Sequence, residues 1–284
     1  MKLYDLHIHT TASDGVLSPA QAVGRAKALG LSGISITDHD TVAGLEEALC
    51  AGAAAGIEVI TGVEFSVESE KEMHILGYCI GRGERLGRAL AALNDARRER
   101  NPVILQKLCG LGMDITIGEV EKEAGGNVVG RPHIARVMMK KGYVESMKEA
   151  FDRYLAIGRP GYAHRKKLRP ASAIRLIRKE SGHPVLAHPK LLHMPMYELE
   201  QLVAALAKEG LWGIEAYYPS HTAGEAGQYC KIAKRYGLFI TSGSDFHDGI
   251  RSELDMGCTW NDDEKLLRSL EILIHSNQKA LHAG

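Results

Sequence analysis

The sequence predicts an α/β fold, a seven-stranded (β/α) barrel that carries a helical insertion. Short apolar runs typical of strands alternate with amphipathic stretches typical of helices along most of the 284 residues. The alternation stops between about residues 102 and 169. Repeated strand–helix units with right-handed crossovers form parallel sheets, and so many units in one chain favour a closed barrel over an open sheet. We therefore expect a barrel of residues 1–101 and 170–284, with 102–169 as the insertion.

The composition is that of a globular protein, and the length allows either one large barrel or two ordinary domains. An apolar content of 45% is enough for a sizeable core. Lys+Arg and Asp+Glu are both 35, so no net charge draws the chain to nucleic acid or to an anionic membrane. The five cysteines form no C-x-x-C pair, which argues against a disulfide framework and a thiolate zinc site. With no signal-like start and no run of about 18 apolar residues, a cytoplasmic location is expected.

The first helix has clear start and stop signals. Ser18 can cap it, Pro19 suits its first turn, Gln21 completes a capping box, and Gly30 stands where a helix ends. After a first strand over residues 3–8, further strands are predicted within segments 30–40, 57–68, 73–80, 183–189, 210–219 and 237–247, the fourth forming a hairpin with the third.

The other helices follow these strands. They are predicted over a stretch capped by Thr41 that ends at Gly56, over 84–100, after Pro170, and over 197–209, 227–236 and 262–280. In the helix over 84–100, apolar residues share one face and most of the arginines share the other. The insertion is expected to hold two or three short helices.

Two histidines in the first strand suggest a metal site. His7 and His9 are two residues apart on a strand, so both imidazoles point the same way. Asp14 follows in a Thr/Ser/Gly-rich loop and can add an oxygen ligand. Within this stretch the alternative stays open that one imidazole lies in the core and the other on the surface.

Polar residues also follow other strands at the point where each strand ends. His39, Glu64, His188 and His247 stand at or just past the end of an apolar strand, as His9 does. In a β/α barrel these ends share one rim, so residues distant in sequence converge there.

The converging set contains six imidazoles and three carboxylates: His7, His9, Asp14, His39, Glu64, His74, His188, Asp245 and His247. With three to five ligands per ion, it can hold two or three divalent ions, and nitrogen and oxygen donors suit Zn, Mn or Fe. For a single member, a hydrogen-bonded core histidine or a capping aspartate is the alternative.

Six motifs in order resemble the PHP (polymerase and histidinol phosphatase) family of metal-dependent phosphoesterases. They are D-L-H-I-H-T-x-x-S-D-G at 5–15, I-T-D-H-D at 36–40, G-V-E-F-S at 62–66, H-I-L-G-Y at 74–78, L-A-H-P at 186–189 and G-S-D-F-H at 243–247. The resemblance implies a distorted seven-stranded barrel with a trinuclear centre. Some members carry histidine where Asp14 stands, so the preferred metal can differ here.

The resemblance also implies a ligand assignment. His7, His9, Glu64 and Asp245 would hold one ion, with Glu64 bridging to a second ion. That second ion would be held by His74 and His188, and Asp14, His39 and His247 would hold the third.

The insertion is similar to that of one subgroup of the family. The segments GRPHIARVMMKKGYV at 130–144 and GRPGYAHRKK at 158–167 carry the similarity. The subgroup includes phosphatases of AMP-like and 3′,5′-bisphosphate nucleotides and a bacterial 5′–3′ exoribonuclease acting on short RNA.

Several residues are candidates for substrate binding. Arg131 and His133 stand at a helix start, where backbone N–H groups favour anions, and arginine can grip phosphate with two bonds. His164 and Tyr218 are further phosphate-binding candidates, and His221 is the candidate general acid; ordinary loop surface is the alternative for these three. The basic run of Arg159, Arg165, Lys166, Lys167 and Arg169 is more typical of a solvated face.

We therefore expect hydrolysis of nucleotide phosphate monoesters by a metal-activated hydroxide. The expected partner is a small phosphorylated substrate, a nucleotide or alternatively short RNA, with no membrane and no obligate protein partner. The alternatives are 5′–3′ exonuclease activity on short oligoribonucleotides, histidinol phosphate hydrolysis and a metal-binding module without catalysis.

Overall fold

Seven strands form one curved sheet in the computed structural model, which describes residues 3–81, 83–126, 128–247, 255–259 and 263–282. The strands are β1 Tyr4–Ile8, β2 Gly33–Ile36, β3 Glu58–Val67, β4 Met73–Tyr78, β5 His183–Leu186, β6 Gly213–Tyr217 and β7 Phe239–Ser242. They neighbour one another in chain order, and Ile8 at the end of β1 pairs with Phe246 beyond β7. The prediction of a distorted α/β barrel is confirmed.

One strand runs against the others. The β4 strand is antiparallel to both β3 and β5, whereas the remaining neighbours are parallel. The predicted hairpin is therefore confirmed. Because β4 is reversed, its first residues lie at the rim that holds the carboxyl ends of the parallel strands. His74, the second residue of β4, reaches the common rim in this way.

The helices pack around this sheet and in the insertion. They are α1 Pro19–Ala28, α2 Leu45–Ala55, α3 Glu84–Cys109, α4 Ile117–Ala124, α5 Arg131–Lys140, α6 Met147–Ala150, α7 Pro170–Lys179, α8 Met196–Lys208, α9 Ala223–Arg235 and α10 Glu264–His282. A π-helical turn follows α6 over Phe151–Leu155, and a 3₁₀ turn spans Pro189–Leu192. Among the described helices, none is long and apolar enough to cross a membrane.

Three predicted helix starts differ from the structure or fall outside it, and one of them is that of α9, which begins at Ala223 and not at residue 227. The Ser18 capping box of α1 is present as predicted. In contrast, α2 begins at Leu45, because Thr41 Oγ1 accepts the N–H of Ala43 in a local turn instead of capping a helix. Asp262, the predicted start of the last helix, lies outside the described residues.

The helix α3 departs most from the prediction. It continues past residue 100 to Cys109 and therefore crosses the predicted boundary of the insertion. Pro102 interrupts one backbone hydrogen bond, but it lies on the exposed side, where water can satisfy the freed carbonyl. The buried side of α3 includes Arg97 and Arg100, so these two do not lie on the polar face that was predicted for most of its arginines.

The insertion has a hydrophobic core of its own. The end of α3 contributes Ile104 and Leu108, and α5 contributes Ile134 and Met138, all buried in one cluster. The barrel residues form separate clusters. The division into a barrel and a helical insertion at 102–169 stays a prediction.

Candidate metal centre

All nine predicted donors meet at one rim of the barrel. They are side chains from β1, β3 and the start of β4, and from the segments that follow β1, β2, β5 and β7. Five of the nine are buried and the other four are partly buried, although each is polar. Such burial is costly unless the groups are paired or coordinate a metal.

The first group of donors surrounds the two histidines of β1. His7 Nε2 lies 3.2 Å from His9 Nε2. His9 Nε2 lies 3.2 Å from Glu64 Oε2 and 3.1 Å from Asp245 Oδ1. Four ligands around an ion at the usual zinc–nitrogen distance are separated by about 3.3 Å, so these spacings suit a shared ion.

The second group lies on the other oxygen of Glu64. His74 Nδ1 is 2.9 Å and His188 Nε2 is 3.0 Å from Glu64 Oε1, and the two nitrogens are 3.2 Å apart. Glu64 thus faces nitrogen donors with both oxygens, with His9 at Oε2 and His74, His188 and, at 3.4 Å, His7 at Oε1.

The third group lies on the solvent side of His9. His247 Nε2 is 3.3 Å from Asp14 Oδ1, and His39 Nε2 is 3.9 Å from Asp14 Oδ2. The candidate ligand atoms of His9, Asp14, His39 and His247 all lie within 4.8 Å of one another.

The donor set has unsatisfied atoms, as expected of ligands. Among the described residues, His39 Nδ1 and Glu64 Oε2 are buried and have no hydrogen-bond partner. The two atoms lie 2.8 Å apart, but the angles between them do not suit a hydrogen bond. Buried polar groups are almost always hydrogen-bonded, and buried nitrogen and oxygen atoms without such a partner are free to bind a metal ion. The residues present therefore fit divalent metal ions.

The carboxylates in this cluster are held in their charged form. Burial alone would raise the pKa of Glu64, but the imidazoles of His74 and His39 outweigh it and keep the pKa well below its usual range. The pKa values of Asp14 and Asp245 are likewise well below the ordinary value, because neighbouring histidines outweigh burial. Burial lowers the pKa of His74 to about 4. Ionised carboxylates and a neutral imidazole are the forms that bind metals.

Two buried carboxylates behind the ligands were not predicted. Glu215 Oε1 lies 3.0 Å from His7 Nδ1, and Glu215 Oε2 accepts the N–H of His188 at 2.8 Å. Asp38 accepts from Thr10 N at 2.7 Å and from Ser13 Oγ at 2.5 Å, and so holds the loop that leads to Asp14. In the sequence, the sign of these residues is an acid in an apolar setting. Glu215 lies within the apolar strand β6, and Asp38 lies two residues after the apolar strand β2.

A cleft rich in cations adjoins the centre on the side of the insertion. We call it the basic cleft; its volume is about 170 Å³, and its lining includes the donors Asp14, His39, His74 and His247. The cations that line it are Arg97, Arg100, Arg131, Arg165 and Lys167. Of the predicted basic run, Arg165 and Lys167 face this cleft, whereas Arg159, Lys166 and Arg169 are exposed.

Two carboxylates form ion pairs with four of these cations. Arg97 and Arg165 contact Asp40, and Arg131 and Lys167 contact Glu72 at 2.8 and 3.2 Å. The fifth, Arg100, is buried and donates to the amide oxygen of Asn101.

The basic cleft consequently has more positive than negative charge to accommodate. Burial and the neighbouring arginines Arg97, Arg131 and Arg165 lower the pKa of Arg100 well below its ordinary value. Burial likewise lowers the pKa of Arg165 to about 10. An anion in this cleft would relieve the repulsion.

A second, wider pocket opens on the other side of the centre. We call it the outer pocket; its volume is about 460 Å³. It is lined by Pro132, Arg136, Met147, Leu191, Tyr218, Pro219, Ser220, Ser244, Asp245, Phe246 and His247. His247 and Pro132 line both pockets, so both open onto the same group of donors.

The predicted substrate residues are placed in different ways. Arg131 lines the basic cleft, and Tyr218 lines the outer pocket, where its hydroxyl donates to Asp245 Oδ2 at 3.0 Å. His164 is exposed and lies outside the lining of both pockets. His133 is buried, and its Nδ1 accepts the N–H of Gly130 and so closes the start of α5. One nitrogen of the ring that was expected to bind phosphate is therefore occupied by a backbone N–H.

His221 is also engaged with the backbone. Its Nδ1 lies 2.9 Å from the carbonyl oxygen of Ala216, which requires a proton on Nδ1 and leaves Nε2 as an acceptor in the neutral ring. Burial lowers its pKa. A general acid needs a proton to give, so this environment speaks against the predicted role.

The comparisons with known proteins agree with one another. Residues 5–167 match the PHP domain family. The chain is 33% identical over 90% of its length to a 3′,5′-nucleoside bisphosphate phosphatase of Chromobacterium violaceum, covering 90% of that protein. It is 36% identical over 87% of its length to a 5′-3′ exoribonuclease of Haemophilus influenzae, again covering 90%. A solved structure of a C. violaceum amidohydrolase with bound sulfate superposes with a TM-score of 0.89 at 31% identity, over 95% of this chain and 96% of that one.

Proposed function

Because the chain belongs to the PHP domain family of metal-dependent phosphoesterases, we propose that it hydrolyses phosphate monoesters of nucleotides that carry a second phosphate. The observation that carries the proposal is the basic cleft beside the nine donors. A reacting phosphate can lie at the centre, and the cleft offers a separate place for another anion. The 3′,5′-bisphosphate nucleotides have this form, and AMP-like nucleotides are the simpler members of the class.

The nine donors would hold two or three divalent ions, Mn, Zn or Fe. We assign His7, His9, Glu64 and Asp245 to one ion, and His74 and His188 with Glu64 to a second. Asp14, His39 and His247 would hold the third. When bound, such ions supply a hydroxide nucleophile near neutral pH and stabilise the charge on the attacking and leaving oxygens.

The other residues would bind and orient the substrate. Arg131 offers a guanidinium at the basic cleft, where two parallel bonds to a phosphate are possible. Tyr218 donates to Asp245 and so fixes the carboxylate at the mouth of the outer pocket. The apolar side chains of that pocket, such as Leu191 and Met147, suit a nucleoside better than a second phosphate. His133, His164 and His221 are not needed in this arrangement.

A second candidate is 5′–3′ exonuclease activity on short oligoribonucleotides. A relative with that name is at least as similar in sequence as the bisphosphate phosphatase. In this case the basic cleft would bind a terminal 5′ phosphate, and the outer pocket would accept the first nucleoside. Both candidates use the same metal centre.

A release assay separates the two. The Mn²⁺-loaded protein is offered mononucleotides, 3′,5′-bisphosphates and 5′-phosphorylated short RNAs, and inorganic phosphate and mononucleotides are quantified. We expect phosphate release, fastest from the bisphosphates. Faster release of mononucleotides from RNA would favour the exonuclease, and no product from any substrate would overturn both.

A further inference from the structure

Glu215 links two candidate ligands that belong to different ions. It lies in the middle of β6 and is completely buried. One carboxylate oxygen is 3.0 Å from His7 Nδ1, and the other accepts the backbone N–H of His188 at 2.8 Å.

Both partners of Glu215 need an acceptor. The backbone N–H of His188 can only donate. His7 Nε2 faces His9 Nε2 at 3.2 Å and Asp245 Oδ1 at 3.3 Å, so a ligand role for Nε2 requires the proton to sit on Nδ1, toward Glu215. A carboxylate accepts both bonds at once, whereas a side-chain amide has one acceptor and would place a donor against one of the two partners.

The backbone at His188 needs this support. Its φ of 26° and ψ of 61° are unusual for a residue other than glycine. The bond from His188 N to Glu215 holds the residue in this conformation, in which His188 Nε2 reaches Glu64 Oε1 at 3.0 Å. Loss of the bond would free the backbone to relax and would move the imidazole.

The chain also leaves room for Glu215 beside His7. A Cβ atom at Gly243 would lie 2.2 Å from His7 Cβ and 2.6 Å from Glu215 Oε1. Any side chain at residue 243 would therefore separate the carboxylate from the imidazole. The close approach of β1, β6 and the segment after β7 depends on this glycine.

We propose that Glu215 is a positioning residue that fixes the His7 tautomer and anchors His188, so that one carboxylate aligns ligands of two neighbouring ions. It is not itself a ligand in this arrangement. The inference rests on the proposed metal centre. A carboxylate behind a metal-binding histidine orients the ring and raises its basicity, and loss of such a group weakens metal binding about 10- to 100-fold.

The test measures Zn²⁺ affinity by competition with a chromophoric chelator, without substrate. We expect Glu215→Gln to bind Zn²⁺ about 10- to 100-fold more weakly than the wild type. Glu215→Asp keeps two acceptor oxygens on a shorter side chain. Its Zn²⁺ affinity is expected to lie between those of the wild type and Glu215→Gln. Glu58→Gln is the matched control, because Glu58 accepts from Tyr4 in β1 at 2.8 Å but is not among the candidate donors; it should bind like the wild type.

A second readout follows the tautomer directly. In the Zn²⁺-loaded wild type, ¹⁵N NMR of the histidines should show the His7 proton on Nδ1, and this resonance should shift or broaden in Glu215→Gln. Circular dichroism shows whether each metal-free variant is folded. For a variant that folds only with Zn²⁺, the His7 signal of the Zn²⁺-loaded form is compared with that of the wild type.

The outcomes are distinct. A wild type that binds no metal would refute the proposed function. A wild type that binds Zn²⁺ with a Glu215→Gln variant of equal affinity and unchanged His7 signal would overturn the inference alone. Equal weakening in the Gln and Asp variants would show that side-chain length, not the pair of acceptors, matters, and would overturn it too.

Discussion

His39 and Asp40 are consecutive residues whose side chains serve two different sites. His39 Nδ1 lies 2.8 Å from Glu64 Oε2 in the candidate metal centre, whereas the carboxylate of Asp40 contacts Arg97 and Arg165 behind the basic cleft. The divergence arises because Asp40 adopts a left-handed backbone conformation, with φ of 52°. One turn after β2 therefore fixes a candidate metal ligand relative to the cations of the basic cleft.

Replacing Asp40 tests this arrangement. Asp40→Asn leaves two buried guanidinium groups without their negative partner, and we expect the free energy of unfolding to fall by about 3 kcal/mol. Urea unfolding of the metal-free protein measures the change. Glu84→Gln is the control, because the pair of Glu84 with Arg88 is exposed and contributes less than about 1 kcal/mol. Equal effects of the two substitutions would contradict a structural role for Asp40.

Replacing Arg131 tests whether this cation binds the second, non-reacting phosphate of the substrate. Arg131→Ala should leave metal content unchanged but lower kcat/KM for a 3′,5′-bisphosphate nucleotide about 10- to 150-fold, the equivalent of losing roughly 1.5–3 kcal/mol. Lysine should recover only part of the loss, because a point charge cannot form two parallel bonds. Hydrolysis of p-nitrophenyl phosphate should not change.

The comparison of the two substrates identifies what Arg131 binds. A loss with both would place Arg131 at the reacting phosphate. No loss with either would show that the insertion does not reach the substrate through this residue. Arg88→Ala, an exposed arginine on the same helix as Arg97, is the control and should behave like the wild type.

Glu64 and His74 should differ in importance. Glu64 contacts nitrogen donors with both oxygens, whereas His74 faces only one of these oxygens. Glu64→Ala should therefore reduce both bound metal and activity more than His74→Ala. Elemental analysis and phosphate release provide the two measurements. Equal residual activities would argue against a bridging carboxylate.

A histidine far from the centre should make stability depend on pH. His183 begins β5, packs on Trp212, and has its Nε2 3.0 Å from Ser276 Oγ; burial lowers its pKa. The unfolded chain therefore binds the proton more readily, so stability is lost as the pH falls through about 6.5, by at most about 1.4 kcal/mol per pH unit.

The measurement is the change in unfolding free energy between pH 7.5 and 5.5. The wild type should lose more stability over this range than His183→Gln does. The exposed His275, replaced by glutamine, is the control and should follow the wild type. An identical pH dependence of His183→Gln and the wild type would contradict the prediction.

The barrel and its rim were predictable because their signals are local. Five of the six parallel strands are short apolar runs with a donor residue near or just past their end, and the shared rim of a barrel brings these residues together. The reversed β4 was predictable from the short charged stretch ESEKE at 68–72, which separates it from β3. The nine donors could be found from these patterns.

The substrate side was less predictable, because it depends on contacts distant in sequence. The pattern of the helix placed most of its arginines on the polar face, but Arg97 and Arg100 are buried, and Arg97 donates to Asp40 and Ser66, which are far from it in sequence. Glu215 is an isolated acid in an apolar strand by its sequence, and its contact with His7 joins residues 208 positions apart. The roles expected for His133 and His221 stay predictions, and the structure adds that one ring nitrogen of each contacts a backbone group within five residues.

The most direct test of the account is phosphate release from a 3′,5′-bisphosphate nucleotide during metal titration of protein first stripped with a chelator. We predict no release by the stripped protein and recovery of activity as two or three equivalents of Mn²⁺ bind per chain. Undiminished release by protein that holds well under one metal ion per chain, or no release by the fully loaded protein, would contradict the assignment of a metal-dependent nucleotide phosphoesterase.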